Sequence, residues 1–465
     1  MMIGELIENW NRNNPSTTKL DVYNPSNQEL LGSLNLIENI ELSINNAQKH
    51  INTITPPKRA EILRKAALLL RDKVDEASQL ITLENGKPLK EAKGEVLYCA
   101  DYLEWYSEEA KRIYGEILPQ WDKGLDLRVY MEPIGVIGVI TPWNFPLSML
   151  GRKVGAAIAA GCPSVAKPAP ETPFSALYFE KILTDSGLPE GFFKVIIADA
   201  ETTGKIFCKN NIVRKISFTG STEVGRILSQ NADLKILTME LGGNAPALIL
   251  SDCDMAILKE CGGFGKFRNA GQACTAINRF IVEETRLREA TEILLEASKN
   301  TKVGDGFNSE SSIGPIITSE SLNRILGLID DATKHGARVL TGEVKHRKQF
   351  LEPVVIDGVT SDMRIFNEEI FGPVVSIVRA KNDEEVLKLA NQTDYGLAAY
   401  VFSEQKGREF ARKLDFGMVG INMVYLALVQ APFGGIKNSG FGREGGKEGV
   451  REYLKIKYIG EKQLS

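Results

Sequence analysis

Between residues 57 and 84, apolar side chains recur three and four positions apart, at Ile62, Ala66, Leu69, Leu70, Ala77, Leu80 and Ile81. That spacing predicts one long amphipathic helix, opened by Pro57 and stopped by Asn85-Gly86. A second helical pattern follows to about residue 113. Residues 115–131 break the rhythm: Pro119 and Gly124 interrupt it, and 125–130 alternates apolar with polar, which predicts a hairpin or projecting arm. From 132 onward, short apolar β-branched runs alternate with helical stretches. Strands are predicted at 135–140, 164–166, 193–197, 215–219 and 234–240. Helices are predicted at 147–160, from the Thr172-Pro173 cap to about 185, and from Ser221 to about 232. Such alternation over short connections predicts right-handed crossovers and a mostly parallel sheet, with ligands beyond the carboxyl ends of its strands.

A second α/β region spans about 243–440. Its helices are expected near 252–270, 284–299, 319–335, 383–391 and 404–413, and its strands at 279–282, 374–378 and 398–402. The tail, 452–459, alternates like an edge strand. No internal repeat is visible. The uncharged stretch 133–151 contains Pro133, Pro142, Pro146 and Asn144, so it is a buried strand, loop and helix start and not a membrane span.

The chain has 465 residues, 43% hydrophobic and 25% charged, with a formal net charge of −4. Those values suit a large globular protein and exclude disorder and a broad nucleic-acid surface. The N-terminus shows no signal peptide. Six cysteines (Cys99, Cys162, Cys208, Cys253, Cys261 and Cys274) form no C-x-x-C motif, which points to a reducing, cytoplasmic setting. Three histidines, His50, His335 and His346, lie in no metal-ligand spacing, so no metal is expected and a Ser-His-Asp triad is poorly supported.

Two nucleotide-like motifs fail their context. Gly440, Gly442 and Gly445 match G-x-G-x-x-G, but too little chain follows for a crossover unit. The segment 220–226 has P-loop spacing, yet Arg226 and Ile227 replace the required Lys and Ser/Thr. Its Gly220-Ser221 turn still leads from a strand into a helix. It reads as an anion-facing turn or as a plain helix cap.

Four segments carry the chemistry: 140–146 (ITPWNFP), 239–243 (MELGG), 269–274 (NAGQAC) and 368–373 (EEIFGP). In this order and spacing they resemble the aldehyde dehydrogenase superfamily, from Tyr23-Asn24-Pro25 to the segment 440–445. The resemblance implies a Rossmann-like cofactor domain (1–114 and 132–242), an α/β catalytic domain (243–440) and a small β oligomerisation arm (115–131 and 441–465). The arm implies a homodimer or homotetramer. The implied reaction is NAD(P)-dependent oxidation of a small aldehyde to an acid, with no nucleic acid and no membrane involved.

By that resemblance Cys274 is the nucleophile, because hydride transfer from an aldehyde first needs a tetrahedral adduct and the resulting thioester is activated for hydrolysis. Asn144 would donate to the oxyanion, or cap the following helix, or both. Glu240 would activate water. It also favours release of a free acid over transfer to coenzyme A. Glu444 is a proton-relay candidate, and Lys153 a support for the Asn144 turn. Position 276 is alanine, so no Cys-x-Cys redox pair exists.

The cofactor set implied has Trp143 by the ribose-phosphate path, Gly220 and Ser221 at the pyrophosphate turn and Lys167 at the adenosine ribose, with Thr141, Pro142, Gly225 and Leu241 as further cofactor-binding candidates. Glu369 would hold the nicotinamide ribose, with Phe371 near the ring. Pro170 stands where relatives carry a ribose-binding glutamate, with Glu171 one place later. Loss of that carboxylate leans the expectation to NADP or dual use, unless Glu171 takes its place.

Arg152 and Arg268 stand where many relatives carry aromatics, and with Phe145 and Phe433 they are the substrate-binding candidates. Paired guanidinium groups suggest a carboxylate on the far end of the aldehyde, as in succinate-semialdehyde dehydrogenases, or else two structural salt bridges. A serine expected upstream of Pro432 is replaced by Ala427-Leu428, which keeps glutarate semialdehyde, lactaldehyde and general aliphatic aldehydes open. Outside this class stand a cysteine hydrolase or acyltransferase and a non-catalytic scaffold.

Overall fold

The computed structural model describes residues 2–462. Two parallel sheets organise it. The first runs in the order Gly440–Phe441, Ile236–Glu240, Val213–Thr219, Val136–Ile140, Ser164–Lys167, Phe193–Val195. All its pairings are parallel except that of Gly440–Phe441. The second runs Arg338–Val339, Val354–Asp357, Val374–Ala380, Ile277–Glu283, Ala245–Ile249, Ala398–Phe402, Met418–Ile421, antiparallel only at Arg338–Val339. The central strands Val136–Ile140, Ala245–Ile249 and Ile277–Glu283 are buried on both faces.

The expected helix over 57–84 is two helices, Pro56–Asp72 and Val74–Asn85, parted at Lys73 (φ −98°, ψ 23°). The apolar stripe is read correctly. The break lets both halves pack against Leu89–Glu109. Gly86 closes the second helix at φ 85°, and a side chain there would strike Pro315 and Pro25.

Residues 441–465 do not act as one arm. Gly440–Phe441 pairs with Ile236–Glu240, and the helix Gly446–Arg451 packs on Pro146–Ala160. Only Leu454–Lys462 joins Leu125–Pro133, itself paired with Glu116–Ile117, in an antiparallel three-stranded sheet. Sequence proximity concealed the split because a two-residue strand carries no periodicity.

Helix capping also differs from the sequence expectation. Thr172 stands at the N-cap of Pro173–Asp185, but its hydroxyl caps nothing. The amides of Phe174 and Ser175 instead donate, at 2.8 Å each, to the two carboxylate oxygens of Glu84 from the helix Val74–Asn85. Likewise Leu147 and Ser148 donate to Oε1 of Glu95 (2.9 and 3.3 Å) at the start of Pro146–Ala160. Buried carboxylates at helix N-termini meet both the orphan amides and the helix dipole.

Replacing Glu84 by alanine should leave two buried amides unpaired and destabilise the fold by about 2–4 kcal/mol, read as a lowered Tm by calorimetry. A Tm equal to that of the parent protein would refute the capping role.

Candidate active site

Cys274 lies at the junction of two cavities, one of about 440 Å³ and one of about 600 Å³, both of which it lines. The backbone leading to it is left-handed at three successive residues, Asn269 (φ 51°), Ala270 (φ 55°) and Gly271 (φ 73°). At Gly271 any side chain would overlap the carbonyl of Gly372. A side chain at Gly243 would run into the carbonyl of Cys274. These glycines let the loop press between the ends of the two sheets.

Side chains hold this loop in place. Gln272 donates to the carbonyls of Asn269 (3.1 Å) and Pro315 (3.2 Å), and its Oε1 accepts from the amide of Ile317 (2.9 Å). Asn269 donates to the carbonyls of Asn144 (3.0 Å) and Gln272 (3.2 Å), while its amide donates to Glu91 (2.8 Å). Asn144 donates Nδ2 to the carbonyl of Gln272 at 3.1 Å and lines the smaller cavity beside Cys274. It does not cap the helix after it, since Glu95 does. Nor does Lys153 support its turn. That work falls to Lys87, which donates to the Asn144 carbonyl (2.7 Å) and pairs with Glu95 (2.6 Å) in full burial. Lys153 reaches Glu444 and Ser217 instead.

Glu240, at the end of its strand, is 3% exposed, and neither of its oxygens has a hydrogen-bond partner. Burial first, then the nearby Glu444 charge, pushes its carboxyl well above the usual range. Glu444 is held down by Lys153 and by Arg152, which lies 2.7 Å from Oε2. Burial likewise pushes the Cys274 thiol up, to about 12. The resting thiol is therefore neutral and needs a local proton acceptor.

The smaller cavity is lined by Pro142, Trp143, Gly220, Ser221, Leu241, Glu369 and Phe371, all expected for the cofactor. Trp143 and Phe371 meet edge to face at 5.6 Å, and Phe371 has φ 53°. Ser221 caps Thr222–Asn231 by accepting from Val224 at 3.3 Å, and Gly225 lets that helix close on Leu241. Glu369 accepts from Gly243 at 2.9 Å, and burial pushes it up to about 7. Thr141, Lys167, Pro170 and Gly225 do not line this cavity. Lys167 is buried at its strand end and donates to the Pro168 carbonyl (3.1 Å), while Pro170 is exposed. The cleft fits a dinucleotide: a capped helix N-terminus for phosphate, a half-buried carboxylate for vicinal hydroxyls and an aromatic pair.

The larger cavity is lined by Phe145, Arg152, Arg268 and Phe433. The two arginines differ. Arg268 stacks over Phe145 (4.8 Å) and Phe264 (5.7 Å) and makes no ion pair among the described residues. Arg152 stacks on Phe433 at 3.9 Å but carries the ion pair to Glu444.

Sequence reasoning missed Lys87, Glu95, Gln272 and Lys266. The last is fully buried, its Nζ has no partner, and burial lowers it to about 7. Its place two residues before Arg268 was visible, but its burial was not. Arg324, which lines the cofactor cleft and holds the carbonyls of Glu369 and Ile370 (2.8 and 2.7 Å), was also missed.

The profile of the Aldehyde dehydrogenase family matches residues 10–459. A succinate-semialdehyde dehydrogenase (NADP+) of Escherichia coli strain K12 is 41% identical over 451 residues, covering 95% of this chain and 94% of that protein. A glutarate-semialdehyde dehydrogenase of Pseudomonas putida is 40% identical over 449 residues, covering 95% and 94%. The crystal structure of succinate-semialdehyde dehydrogenase from Burkholderia pseudomallei superposes with a TM-score of 0.94 at 42% identity, covering 97% of this chain and 95% of that one.

Gln272→Ala should free the loop and lower kcat by at least about tenfold, since a misplacement of about 1 Å costs on that scale or more. The dissociation constant for the cofactor should stay within twofold, because Gln272 does not line its cleft. Unchanged kcat would defeat the assignment.

Proposed function

The chain belongs to the aldehyde dehydrogenase family, NAD(P)-using oxidoreductases that oxidise aldehydes, and on that premise we propose that it converts succinate semialdehyde to succinate. One observation carries the choice of a carboxylated aldehyde: the half-buried, ion-pair-free guanidinium of Arg268 in the same cavity as Cys274. A guanidinium in a walled tunnel favours a bidentate carboxylate. The names of the relatives point the same way. Glutarate semialdehyde is the second reading, favoured by the roomy tunnel of about 600 Å³ and by Ala427 on its wall.

In the proposed mechanism Cys274 Sγ attacks the aldehyde carbon while its proton passes to Glu240, the nearby carboxylate with two unpaired oxygens. Asn144 Nδ2 and the Cys274 amide stabilise the oxyanion. When bound, the nicotinamide supplies the hydride acceptor. Glu240, having passed its proton to the Glu444–Lys153 pair, then takes one from water as the water attacks the thioester carbon. The acid leaves, and Sγ is restored. Glu369 and Phe371 would hold the nicotinamide ribose and ring, and Gly220 and Ser221 the pyrophosphate.

For the cofactor we favour NADP or dual use. Pro170 removes a carboxylate that would repel a 2′-phosphate, and Lys167 makes no ion pair within 4 Å among the described residues. For assembly we propose a homodimer or homotetramer built on the three-stranded sheet. Its edge strand Leu454–Lys462 exposes Ile456 and Tyr458, and Ile117 and Trp121 of the same arm are 79% and 94% exposed. No helix among the described residues is long and apolar enough to cross a membrane. Six free cysteines support a reducing, cytoplasmic setting.

The test is the absorbance of reduced nicotinamide with a panel of aldehydes and both cofactors. Arg268→Ala should raise KM for succinate semialdehyde by about 10- to 100-fold, the value of a charge-assisted hydrogen bond, and leave butanal nearly unchanged. Equal effects on both would overturn the carboxylate reading. Pro170→Glu should shift the ratio of catalytic efficiencies toward NAD. Because Glu240 must be ionised to act and burial raises its proton affinity, kcat should fall as pH drops, starting well above pH 4.5. Flat activity from pH 8 down to 5 would exclude Glu240 as the base.

A further inference from the structure

The helix Leu89–Glu109 starts at Pro88 without a side-chain cap and carries Glu91 in its first turn. A carboxylate in that place ordinarily meets the free amides of its own helix. Glu91 instead reaches across the structure. Its Oε2 accepts the backbone amide of Asn269 at 2.8 Å, 178 positions away, its one side-chain hydrogen bond among the described residues. It is half-buried on the wall of the larger cavity, which Cys274 also lines. Lys87 and Arg268 face it as cations and Glu95 as an anion, with no ion pair to it within 4 Å among the described residues.

Asn269 follows the helix Met255–Phe267 and its cap residue Arg268. A left-handed residue at this place normally sends its N–H back to a carbonyl in the last turn of the helix. Asn269 is left-handed (φ 51°), yet its N–H leaves the helix for Glu91. Its other groups point onward: the carbonyl accepts from the amide and side chain of Gln272 (3.0 and 3.1 Å), and Nδ2 donates to the carbonyls of Asn144 and Gln272. Asn269 is 2% exposed, so water does not replace a lost partner for its amide. The ready substitute is a carbonyl of the preceding helix, and taking it would turn the loop back before it reaches Cys274. One turn along from Glu91, Glu95 holds the amides of Leu147 and Ser148 beside Asn144. A single helix thus fixes the segments that carry Cys274 and Asn144.

We propose that Glu91 is a positioning residue for Cys274: by taking the Asn269 amide it keeps the helix Met255–Phe267 from closing on its own carbonyl and holds the loop on the left-handed course that brings Cys274 to the junction of the two cavities. This rests on the reading of Cys274 as the nucleophile. What position 91 must supply is an acceptor oxygen at the reach of a glutamate side chain, and the negative charge is secondary.

Three variants separate reach from charge, compared with the parent by kinetics on the preferred aldehyde, by cofactor titration and by hydrogen exchange in the peptide 268–274. Glu91→Ala should lower kcat by at least about tenfold, on the scale of a misplacement of about 1 Å, and leave the cofactor Kd within about twofold, because Glu91 does not line the cofactor cleft. Exchange in 268–274 should quicken by about tenfold while the rest of the chain stays near the parent. Glu91→Asp, which keeps the charge but falls short, should behave like Glu91→Ala. Glu91→Gln, which keeps the reach and an acceptor oxygen, should recover kcat to within about threefold of the parent. A merely structural Glu91 would quicken exchange throughout the chain and lower Tm, with no special response in 268–274. That result overturns the proposal, as does an unchanged kcat in Glu91→Ala, or a spared Glu91→Asp beside an impaired Glu91→Gln. If Glu91→Ala does not fold, the Asp and Gln pair decides, and fast exchange of 268–274 in the parent defeats the proposal without any variant. Cys274→Ser tests the premise: if it still oxidises aldehydes, the nucleophile reading falls and the proposal with it, even where exchange in 268–274 responds to Glu91.

Discussion

Left-handed backbone at Asn269 and Ala270 costs about 1–2 kcal/mol per residue, and the chain spends this strain immediately before its reactive thiol. The conformation persists because the surroundings over-determine it. Gln272 ties the loop to Pro315 and Ile317, and Asn144, just past the strand Val136–Ile140, ties it to the first sheet. The loops around Gly372 and Gly243 leave no room for another path. Since Asn144 holds the very loop that carries Cys274, these two residues are set against each other by one hydrogen-bond network. A shift in either sheet would reach both.

Around this loop, buried carboxylates serve as structural anchors. Glu84 and Glu95 each hold the start of a helix, and Glu95 also fixes Lys87, which in turn fixes the Asn144 carbonyl. Glu369 holds the Gly243 amide on the cofactor side. Glu240 is the exception, buried with no partner for either oxygen. Leaving a buried carboxyl unpaired is expensive, and this is the group proposed to activate water, a role that needs a free lone pair. The contrast between anchored and unanchored carboxylates separates the two groups more sharply than burial does, since Glu84, Glu95 and Glu240 are all buried.

Much of this was legible in the chain. Periodicity located five strands of the first sheet and three of the second, because parallel strands buried on two faces tend to read as apolar runs and their crossover helices read as stripes. The four short segments supplied the candidate groups, and the structure gathers Asn144, Cys274 and Glu369 around one cleft. The misses share a cause. Thr172 looked like a cap because capping is usually local, but the cap came from Glu84, 90 residues away. The segment 440–441 looked like tail because two residues have no pattern, yet its register against Glu240 completes the first sheet. Lys153 was assigned to the nearest turn, whereas its partner Glu444 lies 291 positions on.

The sequence by itself determined the kind of architecture and the family, and it nominated Cys274, Glu240 and Asn144, because hydrophobic spacing and residue chemistry are properties of short stretches. Only the tertiary structure decided how each charge is employed. Arg152 and Arg268 are the same residue type in the same cavity, one held by a carboxylate and the other without an ion pair. That difference depends on where Glu444 is brought by a sheet edge formed from the far end of the chain. Coulomb and desolvation energies are set by distance and burial, and neither is written in the local order of residues.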